Sequence, residues 1–168
     1  LRFLNGSNSR FYKLAWSDGT PMTVIASDGG LLEAPVQRPY LMLSPGERYE
    51  VIADLRTSPS RRIRRLVSQA FSPMGNMGGG GATLANGAAF PIMSFRIRRR
   101  VADNFVLPQT LSAITRYRLE DAVNAANPRA FPISFQMGMW MLNGRMFEMN
   151  EVAANEIVAL NTLEAWDI

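Results

Sequence analysis

The first 55 residues carry short apolar runs at close intervals, each ended by a turn cluster, and this spacing leaves no room for long helices. Residues 11–16 alternate, with Tyr12, Leu14 and Trp16 on one side and Lys13 on the other. A period of two marks a half-buried strand, because successive side chains point to opposite faces. Ser17-Asp18-Gly19-Thr20-Pro21 then breaks the run, a cluster of turn formers. Residues 22–26 make a compact apolar strand ended by Ser27-Asp28-Gly29-Gly30, and Tyr40-Leu41-Met42-Leu43 is another. At Ser44-Pro45-Gly46-Glu47 Pro presets φ and Gly accepts a positive φ, so the chain reverses. Tyr49, Val51, Ala53 and Leu55 alternate with Glu50, Ile52 and Asp54, and residues 1–4 form a short apolar run of the same kind. Strands so spaced predict an all-β fold, an antiparallel sandwich or a barrel.

The remainder is less regular. Residues 72–87 hold Pro73, Met74, Met77 and a run of four glycines at 78–81. A phosphate-cradling loop needs Gly-Lys-Ser/Thr leading into a helix, and neither follows, so this is expected to be a surface loop. Residues 90–97 resume strand character. Residues 103–130 look like a connection, with Leu107-Pro108 and Asn127-Pro128 as breakers and one or two helical turns expected over 119–126. Residues 131–142 are strand-like, Asn143-Gly144 is a hairpin signal, and 157–160 and 163–168 have the composition of two further short strands. The expected organisation is a domain over 1–102 whose first strand lies upstream, a connection over 103–130, and the beginning of a second β unit over 131–168, cut short. The 168 residues suit one domain plus part of another.

Composition narrows the chemistry. The chain has no Cys and no His. Thiol–imidazole and Ser–His–Asp catalysis are therefore excluded, as are zinc, type 1 copper and haem sites built on imidazole or thiolate. No apolar stretch reaches the ~20 residues of a membrane span. The net charge of +4 is carried by seventeen Arg and the single Lys13, a skew typical of GC-rich coding sequence. Arginines cluster at 61–65 and 96–100. Neither cluster has the interleaved aromatics of a base-stacking surface, and Arg96, Arg98 and Arg100 would share one solvated strand face, so nucleic acid is not an expected partner. Met137, Met139 and Met141 alternate and in a strand would share a face. Thioether sulfur suits Cu(I), but methionine also fills cores adaptably, and packing is the favoured reading. As a catalytic acid Asp28 would need a partner, and the nearest carboxylate in sequence is Glu33; a turn role is the favoured reading. Asn5-Gly6-Ser7 fits a glycosylation sequon, a short match common by chance.

Five blocks carry a resemblance. Leu1-Arg2-Phe3-Leu4-Asn5-Gly6-Ser7-Asn8-Ser9-Arg10 resembles a strand and turn in the second cupredoxin domain of bacterial multicopper oxidases. Val24 to Leu32 with Pro35-Val36, and Leu43-Ser44-Pro45-Gly46-Glu47-Arg48-Tyr49-Glu50-Val51, are similar to that domain's next two blocks. Leu142-Asn143-Gly144-Arg145-Met146-Phe147-Glu148-Met149-Asn150 is similar to the entry into the third domain, and Thr162-Leu163-Glu164-Ala165-Trp166-Asp167-Ile168 to the strand that follows. Order and spacing agree for all five.

The resemblance implies a Greek-key cupredoxin fold and a division of labour. In these oxidases the first and third domains hold copper through His, Cys and often Met, and the second is a scaffold without ligands. The parent would oxidise phenols, aromatic amines or metal ions and reduce dioxygen to water, with type 1 and trinuclear copper. This segment would hold neither copper nor catalytic residues, and its partners would be the parent's other cupredoxin domains. In copper-efflux members a methionine-rich insert binds cuprous ion, which makes Met137, Met139 and Met141 the metal candidates here. The alternative parent is a related periplasmic cell-division protein that keeps the architecture without the coppers. Either parent implies export to the periplasm or beyond.

Overall fold

A computed structural model describes residues 1–56, 63–72, 84–99 and 101–168. They form two compact units, Leu1–Ile114 and Thr115–Ile168.

Unit 1 is a two-sheet antiparallel sandwich. Its strands are β1 (Arg2–Leu4), β2 (Tyr12–Trp16), β3 (Met22–Ser27), β4 (Gly30–Arg38), β5 (Leu41–Leu43), β6 (Arg48–Ile52), β7 (Ile63–Ser68) and β8 (Phe90–Arg96). One sheet has the order β1-β6-β3-β4 and the other β5-β2-β7-β8. Every connection except β3–β4 and β7–β8 passes from one sheet to the other, and this interleaving gives the cupredoxin-like arrangement. The core lies between the sheets. Leu14, Trp16, Leu41, Leu43 and Leu66 face Met22, Val24 and Val51. Alternation puts them there: β3 is buried at every second residue, and so is β5. Each such Leu or Val contributes about 1.5–3 kcal/mol over leaving it exposed.

The turns read from sequence are present, and one asparagine binds several of them together. Gly46 follows Pro45 with φ +84°, a conformation that costs a residue with a Cβ. Its N–H donates to the Asn5 carbonyl at 2.9 Å, and the Asn5 N–H donates to Glu47 O at 3.1 Å. The Asn5 side chain donates to Leu43 O and Arg10 O at 2.9 and 2.7 Å and accepts from Ser7 N at 3.0 Å. Asn5 is buried, and its bonds replace the water it gives up.

Two strands, β4 and β7, are absent from the sequence expectations. Pro35 and Glu33 disguise β4, but β4 is a sheet edge, where a missing N–H faces outward at no cost. Its register against β3 jumps from Val24↔Val36 to Ala26↔Leu31, which accommodates the irregular middle. β7 is disguised by Arg64 and Arg65. Strand β6 ends at Ile52, short of Ala53 and Leu55. Strand β8 ends at Arg96, so Arg98 lies outside it. Arg100, Arg61, Arg62 and the loop positions Pro73, Met74, Met77 and 78–81 lie outside the described residues.

Unit 2 holds β9 (Arg129–Ala130), β10 (Ile133–Gln136), β11 (Met139–Leu142) and β12 (Trp166–Asp167). β10 and β11 form an antiparallel hairpin, and β9 pairs with β12 in parallel. The expected single strand over 131–142 is therefore this hairpin, folded at Met137-Gly138, where φ is +51° and +79°. Asn143-Gly144 also turns, with φ +53° and +71°, but it joins only an isolated bridge, Leu142 to Arg145. Residues 157–160 are not a strand, and 163–168 contribute only β12. Apolar composition alone is not enough where no partner strand lies alongside. The helical turns expected over 119–126 reduce to one 3-10 turn, Leu119–Asp121.

The sandwich core generates a direct prediction. Leu66, 2% exposed at its centre, should cost about 2–5 kcal/mol when cut to Ala. Val106→Ala, at a site 81% exposed, should change stability by less than about 0.5 kcal/mol. Urea unfolding of the two variants compares them directly; equal losses would place the core elsewhere.

Candidate functional site

The methionine triplet does not share one strand face. Met137 sits in the Met137-Gly138 turn and is 95% exposed, whereas Met139 and Met141 lie on β11 opposite Gln136 and Ser134. Period two holds only within a strand, and the turn removes Met137 from it. Met141 instead joins Trp140, Met146 and Phe147 along a shallow apolar cleft of about 480 Å³. Phe135 packs against Trp140 with ring centroids 4.9 Å apart.

Arg64 was read from sequence as part of a basic cluster, but it points inward. Its side chain is 6% exposed, and its guanidinium lies 4.5 Å from the Trp16 ring centroid. Asp18 approaches its Nε at 3.4 Å, without hydrogen-bond geometry, and its Nη1 donates to Asp54 O at 3.2 Å. Burial by itself raises the Asp18 carboxyl; the Thr20 hydrogen bonds and the Arg64 charge outweigh it and hold the pKa below its ordinary value. Arg64 shares the inward parity of Leu66 and Ser68, and that spacing was the available signal. Nearby, hydrogen bonds from Arg56 bring the Asp54 carboxyl down to about 2.

Turn residues account for other sequence candidates. Asp28 accepts from the Arg48 N–H at 2.8 Å and pairs with its guanidinium at 3.3 Å, so it fixes the β3–β4 turn to β6. The amide nitrogen of Asn5, which a glycan would modify, is engaged by Leu43 and Arg10 inside the fold. The sequon is thus structural.

The most constrained polar group of unit 2 was not anticipated. Arg129 makes a two-pronged contact with Glu164, at 2.8 and 2.7 Å. Glu164 also accepts from Trp166 Nε1 at 3.1 Å, and Trp166 packs on the buried Phe131 with centroids 4.7 Å apart. Asn124 closes the group, donating to Ala165 O at 2.9 Å and accepting from Ala165 N at 2.7 Å. The hydrogen bonds from Arg129 foremost, then that from Trp166, hold the Glu164 pKa below its ordinary value. Glu164 and Trp166 belong to the fifth resemblance block; their role there is to clip β12 to β9.

The donor set does not fit copper of the type 1 or trinuclear kind. Those sites need imidazole and thiolate, and the sequence has neither. Among the described residues no three carboxylates come together as a metal-binding group. No described helix is long and apolar enough to cross a membrane.

No family model matches the chain. It is 60% identical over 55 residues to the cell division protein FtsP of Edwardsiella tarda, covering 33% of this chain and 12% of that protein. It is 33% identical over 138 residues to FtsP of Pectobacterium atrosepticum, covering 76% of this chain and 29% of that protein. Among solved structures, the McoA multicopper oxidase of Aquifex aeolicus superposes with TM-score 0.70 at 26% identity, over 86% of this chain and 29% of that one. The chain thus spans under a third of the length of these relatives. In sequence and fold it is multicopper-oxidase-like, similar both to the oxidases and to FtsP.

The Arg129–Glu164 clip should be pH-sensitive. A carboxyl whose folded pKa is depressed contributes stability that is present above its unfolded pKa, near 4.3, and lost as pH falls through the lower folded value. The Trp166 indole N–H should therefore lose hydrogen-exchange protection progressively below about pH 4.3. Glu164→Gln should weaken that protection at neutral pH and flatten its dependence; an unchanged profile would remove the clip.

Proposed function

We infer that this chain is a copper-free scaffold segment of a larger multicopper-oxidase-like protein. The observation that carries this reading is the donor inventory: no His and no Cys in 168 residues. Such a segment serves by holding neighbouring domains in place, not by reacting. Met137, 95% exposed at the turn, and Met139, 39% exposed on β11, do not fill a core as the packing expectation had it; in this reading they and Met141 are hairpin residues, not Cu(I) ligands.

For the whole protein, we propose a structural or interaction role of the cell-division kind. Its support is the higher sequence identity to FtsP, 60% over 55 residues and 33% over 138, against 26% to the McoA oxidase. The second reading is the oxidase; its support is the breadth of the structural match, 86% of the chain. In that case copper in other parts of the parent would take electrons one at a time from a phenol, an aromatic amine or a metal ion and pass them to dioxygen. Both readings place the protein outside the cytoplasm, in the periplasm or beyond.

The parent protein, expressed whole with copper supplied, separates the two. The cell-division reading expects no blue charge-transfer band and no dioxygen-dependent oxidation of a phenol. A blue band with turnover would move the parent to the oxidases while leaving this segment's scaffold role in place.

A further inference from the structure

Charge is divided unequally along the chain. Leu1–Ile114 holds fourteen of the eighteen basic residues and seven of the fourteen acidic ones, and Thr115–Ile168 holds four and seven, giving +7 and −3 within the total of +4. Part of the excess in unit 1 gathers at one concave place. A cleft of about 790 Å³ opens between the end of β6, the end of β8 and residues 101–107. Its floor is apolar, with Leu55, Phe95, Ile97 and Leu107 half-buried.

Four arginines line this cleft, and they are not equivalent. Arg56 is already committed: it pairs with Asp54 at 2.7 Å and donates to Phe105 O at 3.0 Å, holding one wall to the other. Arg96, Arg98 and Arg99 are exposed, and their side chains make no ion pair or hydrogen bond among the described residues. Asp103, the other acid of the cleft, is turned to the Phe105 N–H at 2.9 Å. Three uncommitted guanidiniums therefore stand beside an apolar floor. A guanidinium presents a planar fork that matches a carboxylate, and a half-buried apolar floor rewards an apolar side chain that leaves water.

We propose that this cleft is a docking site for an acidic, apolar-containing peptide segment of a partner protein, its carboxylates on Arg96, Arg98 and Arg99 and its apolar side chains on the Leu55–Phe95–Ile97–Leu107 floor. A phosphate polymer meets the arginines equally well, but it has nothing to place on that floor, and the arginines are gathered at a cleft instead of tracking a backbone. The proposal stands whether or not the parent holds copper.

The test uses the 168-residue chain and a fluorescein-labelled twelve-residue peptide of six Glu with interspersed Leu and Phe. Anisotropy should show saturable binding that weakens at least tenfold when Glu is replaced by Gln. It should weaken at least tenfold again for Arg98→Glu/Arg99→Glu, both outside β8 and so harmless to the sheet. Arg118→Glu, outside the cleft, should leave it unchanged. Raising salt should also weaken binding, because exposed charges are screened beyond about 10 Å at 0.1 M. Absence of binding, or equal binding by the double variant with its thermal unfolding unchanged, overturns the proposal. So does tighter, cleft-dependent binding of a DNA oligonucleotide or of phosphatidylglycerol vesicles that expels the peptide, since the site would then serve phosphate.

Discussion

Two sheets that bury their facing side chains against one another govern the rest of unit 1. Leu14, Trp16, Leu41, Leu43 and Leu66 meet Met22, Val24 and Val51, and most connections of the chain cross from one sheet to the other around this contact. The turns are placed to allow it. Asn5, buried with its polar atoms engaged, fixes the loop after β1 against the Pro45-Gly46 turn through its backbone and against Leu43 and Arg10 through its side chain, so two crossings are set by one residue. Arg64 shows how far the constraint reaches. It occupies an inward position of β7 as a charge, and it is tolerated because its plane lies against Trp16 and its charge meets Asp18 and the Asp54 carbonyl. An exposed ion pair would be worth little; here the stack and the burial make Arg64 part of the wall of the core.

What could be read from sequence follows the same logic. β2 and β6 were legible from period two and β3 and β5 from compact apolar runs, each followed by Gly, Pro or Asp. β4 and β7 were not, because Pro35 and Glu33 sit on an edge that tolerates them and Arg64 fills a position normally apolar. Unit 2 was read less well for a related reason. Met137 looked like a strand residue because Met139 and Met141 follow it at the right spacing, yet Met137-Gly138 is where the chain turns. Residues 157–160 are as apolar as a strand but have none beside them. The Arg129–Glu164–Trp166 clip spans 35 residues between Arg129 and Glu164, a separation no local pattern reveals.

The two units therefore contribute differently. Unit 1 has a continuous core and is held by packing. Unit 2 has one buried hydrophobic among its described residues, Phe131, and is held by a charge-assisted clip and a short parallel pair. Charge is spent on architecture in both: Asp28 on a turn, Glu164 on a strand end, Arg56 across a cleft wall. The absence of imidazole and thiolate in the sequence removes the usual copper donors. The uncommitted arginines at the end of β8 suit recognition better than reaction.

This chain is proposed to support its parent without holding copper. Isothermal titration of the purified 168-residue chain with Cu(II), and with Cu(I) under reducing conditions against a competing chelator, tests it most directly. No saturable site is expected for either ion. A one-to-one Cu(I) site that disappears when Met137, Met139 and Met141 are all replaced by Leu would contradict it and make the hairpin a metal-handling element.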